Sequence, residues 1–299
     1  MNTTNKLANK VSNLIHLKKN DWLVIATLSF FLTVTLFIAL SLQNIEFLDI
    51  LLIEILVIFV FCVLILIPLE IYRRIEIILN EKSQVDSRKR GDIYRQTQAL
   101  FSVFSVLNPE IPLPTMSGWT VNPDFAKTIM NNILISKPSL VLEMGSGVST
   151  IIAAYSLKKL NQGKIISLEH KSDFVAQSRK QINDHGLQNF AEIIHAPLKK
   201  WHENQQEWLW YDISKIESIQ SIDIVIVDGP PRKIQTMSRY PALPILFNKL
   251  TNNSIIILDD FKRKDLNKMV DLWLKKFSNF QLEVVNTKSG CLILRKIAK

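Results

Sequence analysis

The stretch Leu140-Val-Leu-Glu-Met-Gly-Ser-Gly-Val-Ser-Thr150 constrains this chain more than any other. A short apolar run ends in the carboxylate Glu143. A Gly-x-Gly turn follows at Gly145 and Gly147, and Val148-Ser-Thr-Ile-Ile-Ala-Ala154 then opens a helical pattern. Such a run fits a buried parallel strand that feeds a helix through a turn without Cβ atoms. The turn lets a ligand lie against bare backbone, at the positive end of the next helix.

The downstream pattern extends this unit. Apolar strand-like runs cover 139–143, 164–169, 191–195, 222–228 and 254–259. Helical stretches alternate with them at 148–161, 172–185, a region near 200–219, and 235–250, with a further helix over 261–277. Two final strands, 281–286 and 291–295, have no helix between them and form an antiparallel edge hairpin. Alternation of this kind predicts an α/β fold with a mostly parallel sheet covered by helices on both faces.

Upstream, the chain is of another kind. Mean hydropathy of the whole is positive (+0.14), and the excess lies in 22–72. Residues 22–43 contain no charge and are long enough to cross a bilayer as a helix. A second span, 50–72, carries Glu54 near its start and Glu70 near its end, where a charge costs less than at mid-bilayer. Pro68 lies in its last turn. The connection between the spans has no Lys or Arg. The flanks hold Lys6, Lys10, Lys18 and Lys19 on one side, and Arg73, Arg74, Lys82, Arg88, Lys89 and Arg90 on the other. The positive-inside rule then predicts a transmembrane hairpin in the inner (cytoplasmic) membrane, with both termini and the globular domain cytoplasmic. The alternative is a pair of buried helices in a soluble core. A cleaved signal peptide is disfavoured, because the first apolar run is too long and no Ala-x-Ala site follows.

Four regions result: a tail over 1–21, the hairpin over 22–72, a juxtamembrane helical linker over 73–107, and the α/β domain over 108–299. The apolar end of the linker, Ala99 to Leu107, is expected to pack on that domain or line its entrance. Three prolines in 108–114 end the helix. Asn122 and Pro123 form an N-cap and N1 pair for a helix to about Ile135. The net charge of +9 is spread over the chain, with basic groups flanking the apolar segments, a pattern that suits an anionic membrane surface. No zinc finger, RNA-binding aromatic motif or dense basic stripe occurs, so nucleic acid is not an expected partner. Cys62 and Cys291 supply neither a disulfide framework nor a metal cluster.

Ligands of open α/β sheets bind beyond the carboxyl ends of the strands. Those ends carry Glu143-Met-Gly-Ser-Gly147, Glu169-His170, His195-Ala-Pro197, Asp228-Gly-Pro-Pro231 and Asp259-Asp260. Buried unpaired carboxylates are costly, so acids at four of five strand ends are not a folding requirement. Glu169 follows the glycine turn at the distance of a ribose-binding acid. A dinucleotide site places a third glycine where this chain has Thr150, and Glu143 would repel a pyrophosphate but suits a cationic sulfonium and amino group.

On these residues the chain resembles the class I S-adenosylmethionine-dependent methyltransferases over roughly 108–299, which implies a Rossmann-like, seven-stranded sheet. Val227-Asp-Gly-Pro-Pro231, Arg239-Tyr-Pro-Ala-Leu-Pro244 and Leu258-Asp-Asp260 resemble a bacterial branch related to the catechol-type O-methyltransferases. The resemblance implies that Glu143, Gly145, Ser146, Gly147, Ser149, Glu169, His170, Ala196, Pro197 and Asp228 surround the cofactor. Asp228 and Arg239 would serve catalysis, and Asp228, Asp259 and Asp260 would hold Mg²⁺. Where the catechol enzymes carry a lysine three residues past the fourth strand's Asp, this chain has Pro231, with Arg232 and Lys233 next in line.

Simpler roles stand beside these. Asp259-Asp260 can N-cap the helix over 261–277, and Arg239 can pair with a local acid instead of gripping an anionic acceptor. Trp201, Trp208, Trp210 and Tyr211 can pack a loop or shape an acceptor pocket, and Trp119 can be a lid or a core anchor. Tyr211-Asp-Ile-Ser-Lys215 spells the Tyr/Lys pair of short-chain dehydrogenases, but without the third glycine it is a chance match. The expected function is membrane-anchored O-methylation of a small-molecule, sugar or lipid-linked acceptor. The alternatives are an anchored NAD-dependent nucleotide-sugar epimerase or dehydratase, and a catalytically inactive scaffold of the same fold. Oligomeric state is not legible.

Overall fold

A computed structural model describes residues 19–41, 47–116, 118 and 120–297, with side chains omitted over 19–26, 39–41 and 47–48. The chain divides into two units, Met1–Arg88 and Lys89–Lys299. Lys6, Lys10, Lys18 and Trp119, singled out above, lie outside the described residues.

Two helices make up the described part of the first unit: α1, Lys19–Ser41, and the beginning of α2, Phe47–Leu107. Among the described residues, one helix, Asp49–Leu107, is long and apolar enough to cross a membrane. For α1, the described apolar stretch is Thr27–Ile38, shorter than a crossing needs. The expected second span and linker are one continuous helix, with Pro68 inside it.

In the second unit, α2 ends at Leu107, ahead of the three prolines. Ala99, Val103 and Leu107, four residues apart, are buried, whereas Phe101 and Phe104 are exposed, so one stripe of the linker packs on the domain. Helix α3, Pro123–Ser136, begins with proline at N1 as expected. Asn122 does not cap it; its Nδ2 donates instead to Ser289 Oγ at 3.3 Å.

The sheet then builds up: β1 Leu140–Met144, α4 Val148–Leu160, β2 Lys164–Glu169, α5 Ser172–Asp184, β3 Ala191–His195, β4 Leu198–Glu203, β5 Gln206–Tyr211, β6 Ile222–Val227, α6 Ala242–Leu246, β7 Leu250–Leu258, α7 Lys264–Lys276, β8 Phe280–Val285 and β9 Cys291–Lys296. Seven strands pair in the order β3-β2-β1-β6-β7-β9-β8. The first five are parallel, and β9 runs antiparallel to both β7 and β8. Alternate strand residues feed two cores. Val141, Ile165, Ile224 and Ile257 join the side of α3 and α4, and Leu142, Leu168, Val225 and Ile256 join the side of α7. The strand order reverses between β1 and β6, which makes a switch point there.

Two helical expectations fail. The region near 200–219 is a β-hairpin, β4 against β5, followed by a 3₁₀ turn at Ile213–Ile216. Its sequence alternates, burying Trp208 and Trp210 while Glu207 stays exposed. Asn204 and Gln205 close it with both φ angles positive (47° and 65°), the geometry of a tight hairpin turn. The expected helix over 235–250 shrinks to α6 and the 3₁₀ turn Phe247–Lys249. Met237 has φ 54°, which breaks the run, and Pro244 supplies no N–H to a longer helix.

Candidate active site

At the switch point, the turn after β1 and the ends of β2 and β6 enclose a cleft of about 480 Å³, within the usual range of a small-ligand site. Of the residues that the resemblance implies around a cofactor, Gly145, Ser146, Gly147, Ser149, Glu169, His170 and Asp228 line it. Ala196 and Pro197 do not. Ala196 is buried and Pro197 is exposed on the way into β4, while Lys171, Phe174 and Ile234 line the cleft.

The two glycines do different work. Gly145 has φ +98°, a conformation that side chains disfavour, and a Cβ there would meet the Gly229 backbone at 3.4 Å. Gly147 has an extended φ of 170°, and a Cβ would point into open space. Its bareness leaves room in the cleft.

Glu143 is also not in the cleft. It is fully buried beneath the turn, where Thr150 Oγ1 donates to its Oε2 at 2.5 Å and accepts from the Gly147 N–H at 3.0 Å. Thr150, in the place of a dinucleotide site's third glycine, thus ties the turn to the strand end. Burial raises the Glu143 pKa to about 7, against the hydrogen bonds of Ser149, Thr150 and Ser167 and with the help of the Asp228 charge.

Glu169, 3% exposed, ends β2 at the cleft. Its Oε1 accepts from the Lys171 N–H at 2.9 Å and its Oε2 from the Ser146 N–H at 3.3 Å. His170 Nδ1 lies 3.0 Å from Oε1, out of hydrogen-bond alignment. Burial pushes the Glu169 pKa up, but His170 and the two N–H groups outweigh it, and the net direction is down. A carboxylate is held ionised here, facing the cleft.

Tyr211, offered by the sequence as a residue of a loop or an acceptor pocket in a helical region, lines this first cleft from the end of β5 instead. The hairpin β4–β5 brings its hydroxyl against Gly229, where a Cβ would fall 2.1 Å from Oη. That hydroxyl is buried and has no hydrogen-bond partner among the described residues, and the residue lines the cleft. Burial, then the Glu169 charge, drive its pKa well above 10, so it remains a donor.

A second cleft of about 370 Å³ meets the first at Thr120, Asp228, Pro231 and Lys233. Asp259, Asp260, Arg232, Arg239, Arg263 and Ser289 also line it. The oxygens of Asp228, Asp259 and Asp260 fall within 4.8 Å of one another, so the expected triad does assemble. Its N-cap alternative is excluded, since α7 starts at Lys264 after Arg263.

Arg239 pairs with local acids. It is 3% exposed and donates to the Asp228 carbonyl, to Asp228 Oδ1 at 3.1 Å, to Asp260 Oδ2 at 3.0 Å and to the Asp259 carbonyl at 3.0 Å. It therefore does not present its charge to an acceptor. Trp208 stacks on Tyr240 and meets Trp201 at a tilt, and Trp210 packs edge-on against Tyr211, so the tryptophans serve packing.

The seven-stranded, mostly parallel sheet has the Rossmann-like methyltransferase fold. Residues 142–261 match the model of a methyltransferase domain family. No curated protein matches the chain. An SAH-bound methyltransferase from Podospora anserina superposes with TM-score 0.52 at 15% identity, over 71% of this chain and 95% of its own. It shows the shared fold. An O-methyltransferase from Bacillus cereus in complex with SAH (15% identity, TM-score 0.49, 69% and 97% covered) and TomG from Streptomyces achromogenes in complex with SAM (14%, 0.47, 70% and 96%) are also similar.

Proposed function

We propose that this protein is a membrane-anchored S-adenosylmethionine-dependent methyltransferase that methylates a hydroxyl of a small-molecule, sugar or lipid-linked acceptor. The observation that carries the reading is Glu169, an ionised carboxylate at the end of β2, facing a cleft floored by bare glycine backbone. The residues fit the cofactor. Glu169 accepts from a ribose diol, Gly147 leaves room for close approach, and the partnerless Tyr211 hydroxyl offers a hydrogen bond.

When bound, the cofactor supplies an electrophilic methyl group on a sulfonium. The protein's part is alignment and electrostatics, as for any in-line displacement. Asp228 lies where the two clefts meet and is positioned to take the acceptor's proton. Lys171 and Phe174, the cation stacked 5.2 Å from the ring centroid, close one side of the cofactor cleft. A membrane anchor through α2 would bring the domain to lipid-borne acceptors at high effective concentration. The basic flanks of the apolar segments support a cytoplasmic domain and cytoplasmic termini.

The test is calorimetric titration of the detergent-solubilised full chain with S-adenosylmethionine, S-adenosylhomocysteine (SAH) and NAD⁺. Binding of the two sulfur cofactors in the micromolar range is expected. Glu169→Ala should weaken it at least tenfold, about 1.4 kcal/mol. A folded protein that binds neither, or that binds NAD⁺ instead, would overturn the reading.

A further inference from the structure

Three carboxylates at the ends of β6 and β7 look like a divalent-cation site, yet two of them already share a cation of the chain itself. Arg239 Nη2 lies 3.1 Å from Asp228 Oδ1 and 3.0 Å from Asp260 Oδ2. A Mg²⁺ ion bridging those two oxygens at about 2.1 Å would sit no more than about 4 Å from this nitrogen. The guanidinium cannot readily withdraw. Its Nη1 donates to the Asp259 carbonyl at 3.0 Å and its Nη2 to the Asp228 carbonyl, and the side chain is 4% exposed. Moving it would take its partner from the buried Asp259 carbonyl, from the part-buried Asp228 carbonyl and from the Asp228 carboxylate. Arg263 adds a second guanidinium, 2.9 Å from Asp260 Oδ2. The third acid is engaged as well, because Ser289 Oγ donates to Asp259 Oδ1 at 2.9 Å. The donor set therefore fits a metal by type and spacing and does not fit it by occupancy.

We infer that Arg239 is a built-in replacement for the divalent ion, so that the acceptor cleft works without metal. The fork geometry of arginine allows this, since one planar group reaches carbonyls and carboxylates from two strand ends at once. Arg239 is a positioning residue. It locks the ends of β6 and β7 together and holds Asp228 and Asp260 toward the cleft. The inference rests on the two clefts being the methyl-transfer site, but its metal arm can be read separately.

The experiment titrates Mn²⁺, followed by electron paramagnetic resonance, into the detergent-solubilised full chain, its Asp259→Asn and Arg239→Leu variants and an Arg239→Leu/Asp259→Asn double variant. SAH affinity is measured on each, with and without EDTA. Expected are no wild-type Mn²⁺ site tighter than about 1 mM, the weak end of protein cation sites, and an SAH affinity indifferent to EDTA. Arg239→Leu should gain one Mn²⁺ site at least tenfold tighter, which the double variant loses. A wild-type site of micromolar affinity that Asp259→Asn removes would overturn the inference. So would an Arg239→Leu protein that still binds SAH yet gains no Mn²⁺. If Arg239→Leu fails to fold, the wild-type titration decides. If nothing binds SAH, the methyltransferase reading falls while the Mn²⁺ results still stand for or against the clamp.

Discussion

Glu143 shows how a single residue departs from its apparent role. In the sequence it stands beside the glycine turn like a ligand, but it sits under the turn with no surface exposed. Its bonds run to Thr150 and through it to the Gly147 N–H. Burial lifts its pKa from 4.5 to about 7, with the neighbouring Asp228 charge acting in the same direction and the hydroxyls of Ser149, Thr150 and Ser167 against it. The folded state thus holds a proton that the unfolded chain releases above about pH 4.5. Its contribution is fully present below that pH and is lost as pH rises through 7. The shift corresponds to about 3 kcal/mol at most. Thermal melts of the wild type from pH 4.5 to 8 should therefore show stability falling across this window, on top of the trends of Asp228 and Asp259, which are also raised. In Glu143→Gln, which keeps an acceptor for Thr150, that fall should be shallower. Equal slopes in the two proteins would refute the assignment.

At the scale of elements, the turn between β1 and α4 separates two kinds of glycine that look alike in sequence. Gly145→Ala puts a side chain at φ +98° and against the Gly229 backbone, which should cost about 1–3 kcal/mol of stability. Gly147→Ala introduces no strain, because its φ is extended and the space beyond is open. It should melt like the wild type but lose SAH affinity at least tenfold. Melting temperature and SAH titration on the two variants check the distinction; the same phenotype from both would contradict it.

The parallel core was legible because buried strands give continuous apolar runs. Lys164–Glu169 and Ala191–His195 fall where the pattern places them. The hairpin β4–β5 was not, since its turn is Asn204-Gln205 and lacks the glycine that usually marks such turns. With it went Tyr211, whose place in the cleft depends on pairing Leu198 with Tyr211 across that hairpin. The acids at the ends of β6 and β7 could be read from sequence. That Arg239 can pair with an acid was legible too, but that it reaches back to two of these acids at once was not, because only the tertiary path brings it there.

The whole molecule combines a domain whose core is closed with a helix whose surface is not. In the first half of α2, Leu56, Phe59 and Leu64 are each more than 60% exposed, and an apolar surface of that extent is unstable in water. Residues 50–72 span about 34 Å at 1.5 Å per residue, enough to cross a hydrocarbon core. At the far end Arg74 pairs with Glu70 at 2.8 Å, a charged pair suited to an interface. The second unit, Lys89–Lys299, carries both clefts without the apolar half of that helix. Anchoring and cofactor binding should therefore be separable. The full chain, expressed in bacteria, should stay with membranes through an alkaline carbonate wash. A chain beginning at Lys89 should appear in the soluble fraction and bind SAH with the full chain's affinity, within about threefold. A full chain that washes off would remove the anchor from the function. A soluble truncation that no longer binds would mean the helix contributes to the cofactor cleft itself.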